Sequence, residues 1–521
     1  MTDRMYDCVA VGSGHAGCCA ALSAVDSGCK RVLIVDKCPK EWAGGNGYFT
    51  AGAHRTVHAG LRDLLPIVQN VSPETASSID MDAYSVDEFT ADIMRLGDGQ
   101  PHPGVVAAVV EGSREAVGWL AERVKVPFVF SFNRQAYLVN GRQRFWGGMV
   151  LGVEGGGKGL IAAHHAALEQ AGVEVWFETP AVELSVADGS VNGIAIVHDG
   201  ERVILSTSAV ILACGGFESS SELRSKHLGA HWEGAKVRGT PYNTGDGLAL
   251  AQSVGAKMAG DFNSCHSTCW DANAPADRGD RVLSNQFTKS GYPLGIMVNA
   301  LGHRFIDEGI DFRNYTYAKF GREILAQPGG FAFQLFDSQV IPWLRSEEYA
   351  DDVVEKICAQ TLDELADKLS QIGLQDRAAF LDTVSRYNDA VRVFHSESSS
   401  KVWDPAVKDG LSTQSSQLHL EPAKSNWALP LDKPPFLVVK VSCGITFTFG
   451  GLAIDSETAS VLSDATGTPI KGLFCAGELV GGLFYGNYPG GSGLTAGAVF
   501  GRKAGESAAK VAATSPLLDN R

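Results

Sequence analysis

The first apolar run of the chain is short and β-branched, Val9-Ala10-Val11, and it breaks at Gly12-Ser13-Gly14-His15-Ala16-Gly17. Small residues follow from Cys18 to about Ser27, and a second apolar run, Arg31-Val32-Leu33-Ile34-Val35, stops at Asp36. Apolar runs on either side of a helical stretch predict a strand–helix–strand unit. Residues 61 to 135 read as mainly helical. Ser85-x-x-Glu88 forms a capping box there, and Pro103 opens a helix reaching about Arg123. The glycines of 155–159 open onto a helix predicted near Leu160 to Ala171. From Glu174 the period shortens to that of strands: Val175-Trp176-Phe177, Val182-Glu183-Leu184, Val191 to Val197 and Val203 to Leu205. Tight turns at Asp188-Gly189 and Asp199-Gly200 make this a β-meander. It runs into a buried strand, Ala209 to Ala213, then Cys214-Gly215-Gly216, and Thr244-Gly245-Asp246-Gly247 starts another helix.

Beyond about residue 261 aromatic residues become more frequent and glycines fewer. Thr361-x-x-Glu364 caps a helix ending at Gly373, and an amphipathic helix follows to about Phe394. Strand spacing returns at Phe436 and continues through Phe474-Cys475-Ala476-Gly477-Glu478, and a Gly/Ala-rich helix starts at Ser492. The pattern predicts an α/β fold. Its first domain is made from both ends of the chain, an insertion lies between them, and ligand sits at their junction.

The chemistry of the first turn supports that reading. Gly12 permits a tight turn, Gly14 lets the backbone approach a pyrophosphate at a helix N-terminus, and Gly17 lets the helix pack close on the strand. Asp36, closing the second strand, is placed for a ribose hydroxyl. The alternative is a purely structural glycine turn. Gly44-Gly45-Asn46-Gly47-Tyr48-Phe49-Thr50-Ala51-Gly52 is too glycine-rich for regular structure. It either lays N–H groups against a flat ligand or is a flexible loop. Gly155-Gly156-Gly157-Lys158-Gly159 lacks the Lys-Ser/Thr ending of a P-loop, which excludes nucleoside triphosphate binding there.

Length and composition narrow the class further. The 521 residues allow two to four domains, and 45% hydrophobic with 20% charged residues describe a globular chain. A net charge of -15 argues against nucleic acid and anionic membrane surfaces, so an anionic substrate needs a local cationic pocket. There is no membrane-length apolar run. The start, Met1-Thr2-Asp3-Arg4, is polar, and Leu518-Asp519-Asn520-Arg521 carries no address, so the expected compartment is the cytoplasm. The 11 cysteines are an odd number and several fall in core segments, which favours reduced thiols. Cys265-His266-x-x-Cys269 has no second ligand pair, and no metal is expected.

Several longer stretches resemble the flavoproteins of the fumarate reductase and succinate dehydrogenase type, and within them the tricarballylate dehydrogenases. They are Gly44-Gly45-Asn46, Phe49 to Ala53, Phe145-Trp146-Gly147-Gly148, Ala213 to Glu218, Lys236 to Thr240, Asp307 to Tyr317, Cys443 to Gly451 and Leu483 to Gly491. The resemblance implies a Rossmann-like FAD-binding domain of the GR2 type over residues 1–260 and 443–521, with an α+β capping domain over 261–442. It implies non-covalent FAD, since no Ser-His-x-x-Ala stretch is present. By motif, Gly12, Gly14, Ala16 and Gly17 line the pyrophosphate. Asp36 and the adjoining Lys37 serve the adenosine end, and Val182 meets the adenine through its backbone. Gly44, Gly45, Asn46, Thr50, Ala51 and Gly52 approach the isoalloxazine, with Gly215 on the return strand. Asp246 and Glu478 serve the ribityl chain or ribose. The helix at Ser492-Gly493-Leu494 points its positive end at the flavin.

The same resemblance implies dehydrogenation beside a carboxylate, tricarballylate to cis-aconitate, with reoxidation by a separate electron acceptor such as a partner redox protein. Arg313 is the expected acid/base or carboxylate clamp, with Tyr315, Tyr292 or Tyr488 as the other proton carriers. His266 binds a substrate carboxylate, and Thr446 and Tyr488 close the site. Departures from the family pattern matter. Thr446-Phe447-Thr448 stands where fumarate reductases carry histidine, and Tyr488 replaces their second substrate arginine. Asn487-Tyr488-Pro489-Gly490-Gly491 is also similar to the ketosteroid Δ1-dehydrogenases, in which the tyrosine promotes enolisation. An enone-forming enzyme or an enoate reductase is therefore the alternative.

Overall fold

The computed structural model describes residues 5–514; the polar Met1 to Arg4 and the C-terminal Leu518 to Arg521 lie outside the described residues. Strand β1 (Cys8–Val11) runs into helix α1 (His15–Asp26) and returns as β2 (Val32–Val35). Both strands are fully buried, which is why they read as unbroken apolar runs. Helices α2 (Val86–Leu96), α3 (Pro103–Trp119) and α4 (Gly156–Gln170) follow, then β3 (Glu174–Trp176). Strands β4 (Ala181–Ala187), β5 (Ser190–His198) and β6 (Glu201–Thr207) form the antiparallel meander, and β7 (Val210–Leu212) lies parallel beside β1. Positive φ at Asp188-Gly189 and Asp199-Gly200 makes the two meander turns.

The second half supplies α5 (Asp246–Ser253), β8 (Cys265–Asp271), β9 (Ile296–Asn299), α6 (Tyr317–Leu325) and β10 (Ala332–Phe336). It continues with α7 (Leu362–Ser370), α8 (Arg377–Glu397), β11 (Phe436–Thr448), β12 (Pro469–Cys475) and α9 (Ser492–Ala513). Strand β12 slots in next to β7, so the parallel core of the main sheet reads β12-β7-β1-β2-β3. Helix α9 crosses α1 with no room between them: a Cβ on Gly505 would stand 2.3 Å from the Ala20 carbonyl oxygen. That closeness explains the Gly/Ala content of the last helix.

A second sheet is built on β11. It pairs antiparallel with β8 and β10 and parallel with the short strand Lys236–Val237, and β9 lies on the far side of β10. Phe380, Val384, Tyr387 and Val391 of α8 pack with Ile296, Val298, Phe333, Leu335 and Val438 in a separate core. The 13 residues of β11 run unbroken from that core to the edge of the nucleotide domain.

Three expectations change. Glu174–Trp176 is not part of the meander; it extends the parallel sheet beside β2. Gly45–Phe49 winds into a 3-10 helix rather than an irregular loop. Gly156, Gly157 and Gly159 fall inside α4, with Gly155 as its cap, and a Cβ on Gly157 would lie 2.3 Å from the Gly47 carbonyl oxygen, so only glycine fits there. All 11 cysteines are free thiols, nine of them buried. Among the described residues no helix is long and apolar enough to cross a membrane.

Candidate active site

The loops leaving the C-terminal ends of β1, β2, β7 and β12 converge on one long cavity, the position at which open parallel sheets bind ligands. At its β2 end stand Asp36, Lys37, Thr179 and Ala181; at its far end stand Arg238, His266, Thr446 and Tyr488.

The near part has the chemistry of a dinucleotide cradle. Gly14 caps α1 without any side-chain hydrogen bond, so the first N–H groups of the helix are open to the cavity. A Cβ on Gly12 would sit 2.4 Å from the Ala213 carbonyl oxygen, so this turn tolerates only glycine. Asp36 accepts from Ser13 N and Ser13 Oγ, both at 2.7 Å, and from Cys38 N at 3.0 Å. Lys37 donates to Asp246 and Thr244 at 2.5 Å, tying the β2 loop to the start of α5. Asn46 donates to Glu218 and to the Thr446 carbonyl at 2.6 Å, which fixes the 3-10 turn against β11. At the opposite wall Gly491 caps α9, again without a side-chain bond. Two uncapped helix N-termini, a strand-end acid and a continuous channel fit an adenine dinucleotide with its flat ring toward β11.

Of the residues expected at this cofactor, Gly12, Gly14, Ala16, Asp36, Lys37, Gly45, Asn46, Thr50, Ala51, Gly215, Asp246, Glu478, Gly493 and Leu494 line the cavity. Gly17, Gly44, Gly52, Val182 and Ser492 are not on its wall. Gly17 and Gly44 are packing positions, against the Gly12 carbonyl and Ile161, and Gly52 abuts Val153. Val182 is 46% exposed while its neighbour Ala181 lines the cavity. Ser492 is fully buried and donates to the Pro489 carbonyl.

The far chamber is aromatic and polar. His266 lies 4.7 Å from the Tyr488 ring and 5.3 Å from Phe447, centroid to centroid. Burial, with Arg238 nearby, pulls the His266 imidazole well below its ordinary value, so the ring is neutral. Burial pushes the Tyr488 phenol up although Arg238 opposes it; the phenol stays protonated and is a donor. Among the described residues the hydroxyls of Tyr488 and Tyr317 bond no protein group, Tyr488 bonding only through its main-chain N–H to Asn487.

Arg238 is the cation of this chamber. It is half-buried, with Trp270 5.4 Å from its guanidinium carbon. Its terminal nitrogens reach Thr446 Oγ1 and Asn285 Oδ1 only at 3.4 Å, and its Nε is buried without a partner. Among the described residues no carboxylate lies within 4 Å of it. The other chamber arginine, Arg134, is held by Glu347 at 2.6 Å and Glu348 at 3.5 Å.

Thr446, His266 and Tyr488 are thus brought together, while Arg313 and Tyr315 are not on this wall. Arg313 donates to Tyr137 Oη at 3.0 Å and borders a separate small pocket with Trp146, Phe312 and Trp427. Tyr315 donates to Asp92 at 2.7 Å within a knot around the fully buried Arg55. Tyr292 is buried against Thr316 at 2.7 Å. Sequence reasoning quoted the stretch Lys236 to Thr240 but gave Arg238 no role, and it missed Arg134 and Tyr317. The available signal was that Arg238 has no acid within four residues on either side. His15, Cys19 and His164, which bring potential ligand atoms within 4.8 Å of one another, were also unforeseen. The two rings bond each other at 2.9 Å and His15 bonds the Leu494 carbonyl at 2.9 Å, while His164 Nδ1 is buried without a partner.

Comparison with known proteins gives these groups a context. The sequence model of the FAD binding domain matches residues 72–494. A probable fumarate reductase, Ifc3, of Shewanella frigidimarina is 30% identical over 509 residues, 96% of this chain and 74% of that one. A 4-oxocyclohex-2-ene-1-carboxylate 5-dehydrogenase of Sinomonas cyclohexanicum is 29% identical over 375 residues, 68% of this chain and 60% of that one. The solved open conformation of a flavocytochrome c3 fumarate reductase superposes with a TM-score of 0.69 at 27% identity, covering 98% of this chain and 79% of that one. The chain spans 48% of the length of a further relative, an NADH:fumarate oxidoreductase of Klebsiella pneumoniae.

Proposed function

We propose a reaction for this chain on one premise: it belongs to the FAD binding domain family, flavoenzymes that act on CH–CH bonds. In our reading it introduces a C=C bond α,β to a ketone in a small organic acid that carries one carboxylate. The observation that carries this is Arg238, a cavity-facing guanidinium without a carboxylate partner, beside the free, protonated hydroxyl of Tyr488. Bound FAD supplies the hydride acceptor.

The protein's share of the work follows from the groups present. Arg238 takes the carboxylate through its terminal nitrogens, a planar fork that matches two oxygens. Tyr488 Oη donates to the ketone oxygen, which acidifies the adjacent C–H as charge develops on oxygen. His266, neutral, accepts the released proton at a ring nitrogen. The aromatic wall of Phe447 and Tyr488 excludes water and aligns a flat substrate.

Charge balance argues against tricarballylate. Three carboxylates would face a single uncommitted cation, since Arg134 is paired with Glu347 and Glu348 and His266 is neutral. Unpaired anions in a half-buried chamber are costly. The same single charge argues against a neutral steroid, which leaves Arg238 unused. The relative that acts on an oxocyclohexene carboxylate supports one ketone and one carboxylate in the same molecule.

The test is anaerobic mixing of the holoenzyme with 4-oxocyclohexanecarboxylate, its unsaturated analogue, tricarballylate, succinate and a 3-ketosteroid. Bleaching of oxidised flavin by the oxo acids is expected. Bleaching by tricarballylate alone or by the steroid alone overturns the reading. If none bleaches, and enoates reoxidise the reduced enzyme, the working direction is reduction.

A further inference from the structure

Glu218 and Glu478 meet at the wall of the cofactor cavity. Glu218 is fully buried, and Glu478 presents its open side to the channel. One amide nitrogen, Asn243 Nδ2, donates to both, at 2.6 Å to Glu218 Oε1 and 3.5 Å to Glu478 Oε2. Asn46 adds a second bond to Glu218 Oε1, and Glu478 Oε1 accepts from Thr448 N at 2.7 Å and Thr448 Oγ1 at 3.1 Å. Glu218 Oε2 is buried with no hydrogen-bond partner. Two carboxyl groups therefore share one donor, with one oxygen left over.

No compensating cation is present. Among the described residues neither carboxyl makes an ion pair within 4 Å. Arg224, the nearest cation on the α-helix behind Glu218, is committed to the main-chain carbonyls of Glu218, Trp232 and Glu233. Cys265 on β8 faces the pair as a buried thiol that burial keeps protonated. Like charges this close, in a site with low access to water, do not both ionise.

We propose that Glu218 and Glu478 hold one proton between them at neutral pH, and that Glu218 is the positioning residue whose share of that proton keeps Glu478 facing the bound FAD. That proton makes a hydrogen bond between the two carboxyl groups, in place of the repulsion of two carboxylates. The proton also spares the cavity wall a second negative charge beside an anionic cofactor. Burial, reinforced for Glu478 by Glu218 itself, pushes both carboxyls above their ordinary values. Losing the shared proton thus weakens FAD binding as pH rises, by up to about tenfold in Kd per pH unit.

Two measurements decide it. The first is the FAD dissociation constant of wild type, Glu218→Gln and Glu478→Gln, followed by flavin fluorescence from about pH 6 to about pH 10, the range in which buried carboxyls titrate. Wild-type Kd rises at the alkaline end, while Glu218→Gln, whose amide copies the protonated acid, stays flat. A flat wild-type profile, or a Glu218→Gln profile that rises like wild type, overturns the proposal. The second covers a variant that does not fold. The infrared spectrum of wild-type holoenzyme at neutral pH shows a protonated-carboxyl stretch that weakens at the alkaline end with the loss of FAD affinity. Absence of a band that titrates in this way overturns it as well.

Discussion

Arg238→Gln is the perturbation that isolates the proposed carboxylate site. Gln keeps part of the side chain's volume and its polarity but removes the charge and the two-pronged donor edge. In the protein as it stands the guanidinium has only two long contacts, each at 3.4 Å, and an unpartnered Nε, so little internal bonding is lost with the substitution. The loss falls on the ligand. A hydrogen bond to a charged group contributes about 1.5–3 kcal/mol, and a bidentate pair has two. Arg238 is half-buried rather than sealed, which discounts the sum to about 2–4 kcal/mol, or roughly 30- to 1000-fold in Kd. A cation at a solvent-exposed rim would give about 1 kcal/mol at most, under tenfold. The assay is equilibrium binding of 4-oxocyclohexanecarboxylate and of its carboxamide to oxidised holoenzyme, read from the flavin absorbance change. The acid loses at least thirtyfold on Arg238→Gln and the amide changes little. Equal losses for acid and amide would show that Arg238 shapes the chamber without binding the anion, and the reasoning would fail.

Three further outcomes follow from the geometry. Tyr488→Phe removes the phenol donor that the Asn487-Tyr488-Pro489 stretch places on the chamber wall. Single-turnover flavin bleaching slows by about 10²–10³ with ligand Kd nearly unchanged, and a change confined to Kd would refute the donor role. Glu348 is buried, which pushes its carboxyl up, yet Arg345, Arg134 and Ser290 hold it down at about 2 against an ordinary 4.5. Its contribution of roughly 3 kcal/mol is present above pH 4.5 and is lost as pH falls toward 2, so Glu348→Gln is destabilised at neutral pH by an amount that shrinks on acidification. Denaturant melts at several pH values check this; a pH-independent difference contradicts it. Gly505→Ala puts a methyl group 2.3 Å from the Ala20 carbonyl at the α1–α9 crossing and lowers stability by about 1–3 kcal/mol, measured as a Tm shift. No shift in Tm would mean the helices have room to part.

The nucleotide half was legible because its rules are local. Val9 to Val11, the glycines after it and Asp36 specify a strand, a turn and a strand end within 30 residues, and the fold adds only their neighbours β7 and β12. The meander was legible from its two Asp-Gly turns. The chamber was not, because it depends on which charges find partners far away in sequence. Arg313 looked like the site cation with Asp307, Glu308 and Asp311 close by. In the fold Asp307 binds Ser425, Glu308 binds Arg304 and Asp311 binds Arg95 and Lys408, while Arg313 turns to Tyr137. Arg238 gained its position from the pairing of Lys236–Val237 with β11, some 200 residues away, which no spacing rule registers. The glycines of 155–159 and 44–47 were legible as special but not as helical, since their requirement is the mutual close approach of α4 and the 3-10 turn.

The most direct test of the central claim is a crystal structure of the holoenzyme with 4-oxocyclohexanecarboxylate bound. FAD is expected along the β2-to-β11 channel, with the carboxylate about 3 Å from the terminal nitrogens of Arg238 and the ketone oxygen about 3 Å from Tyr488 Oη. A carboxylate seated on Arg313, or a ligand bound away from the His266–Tyr488 wall, would contradict it.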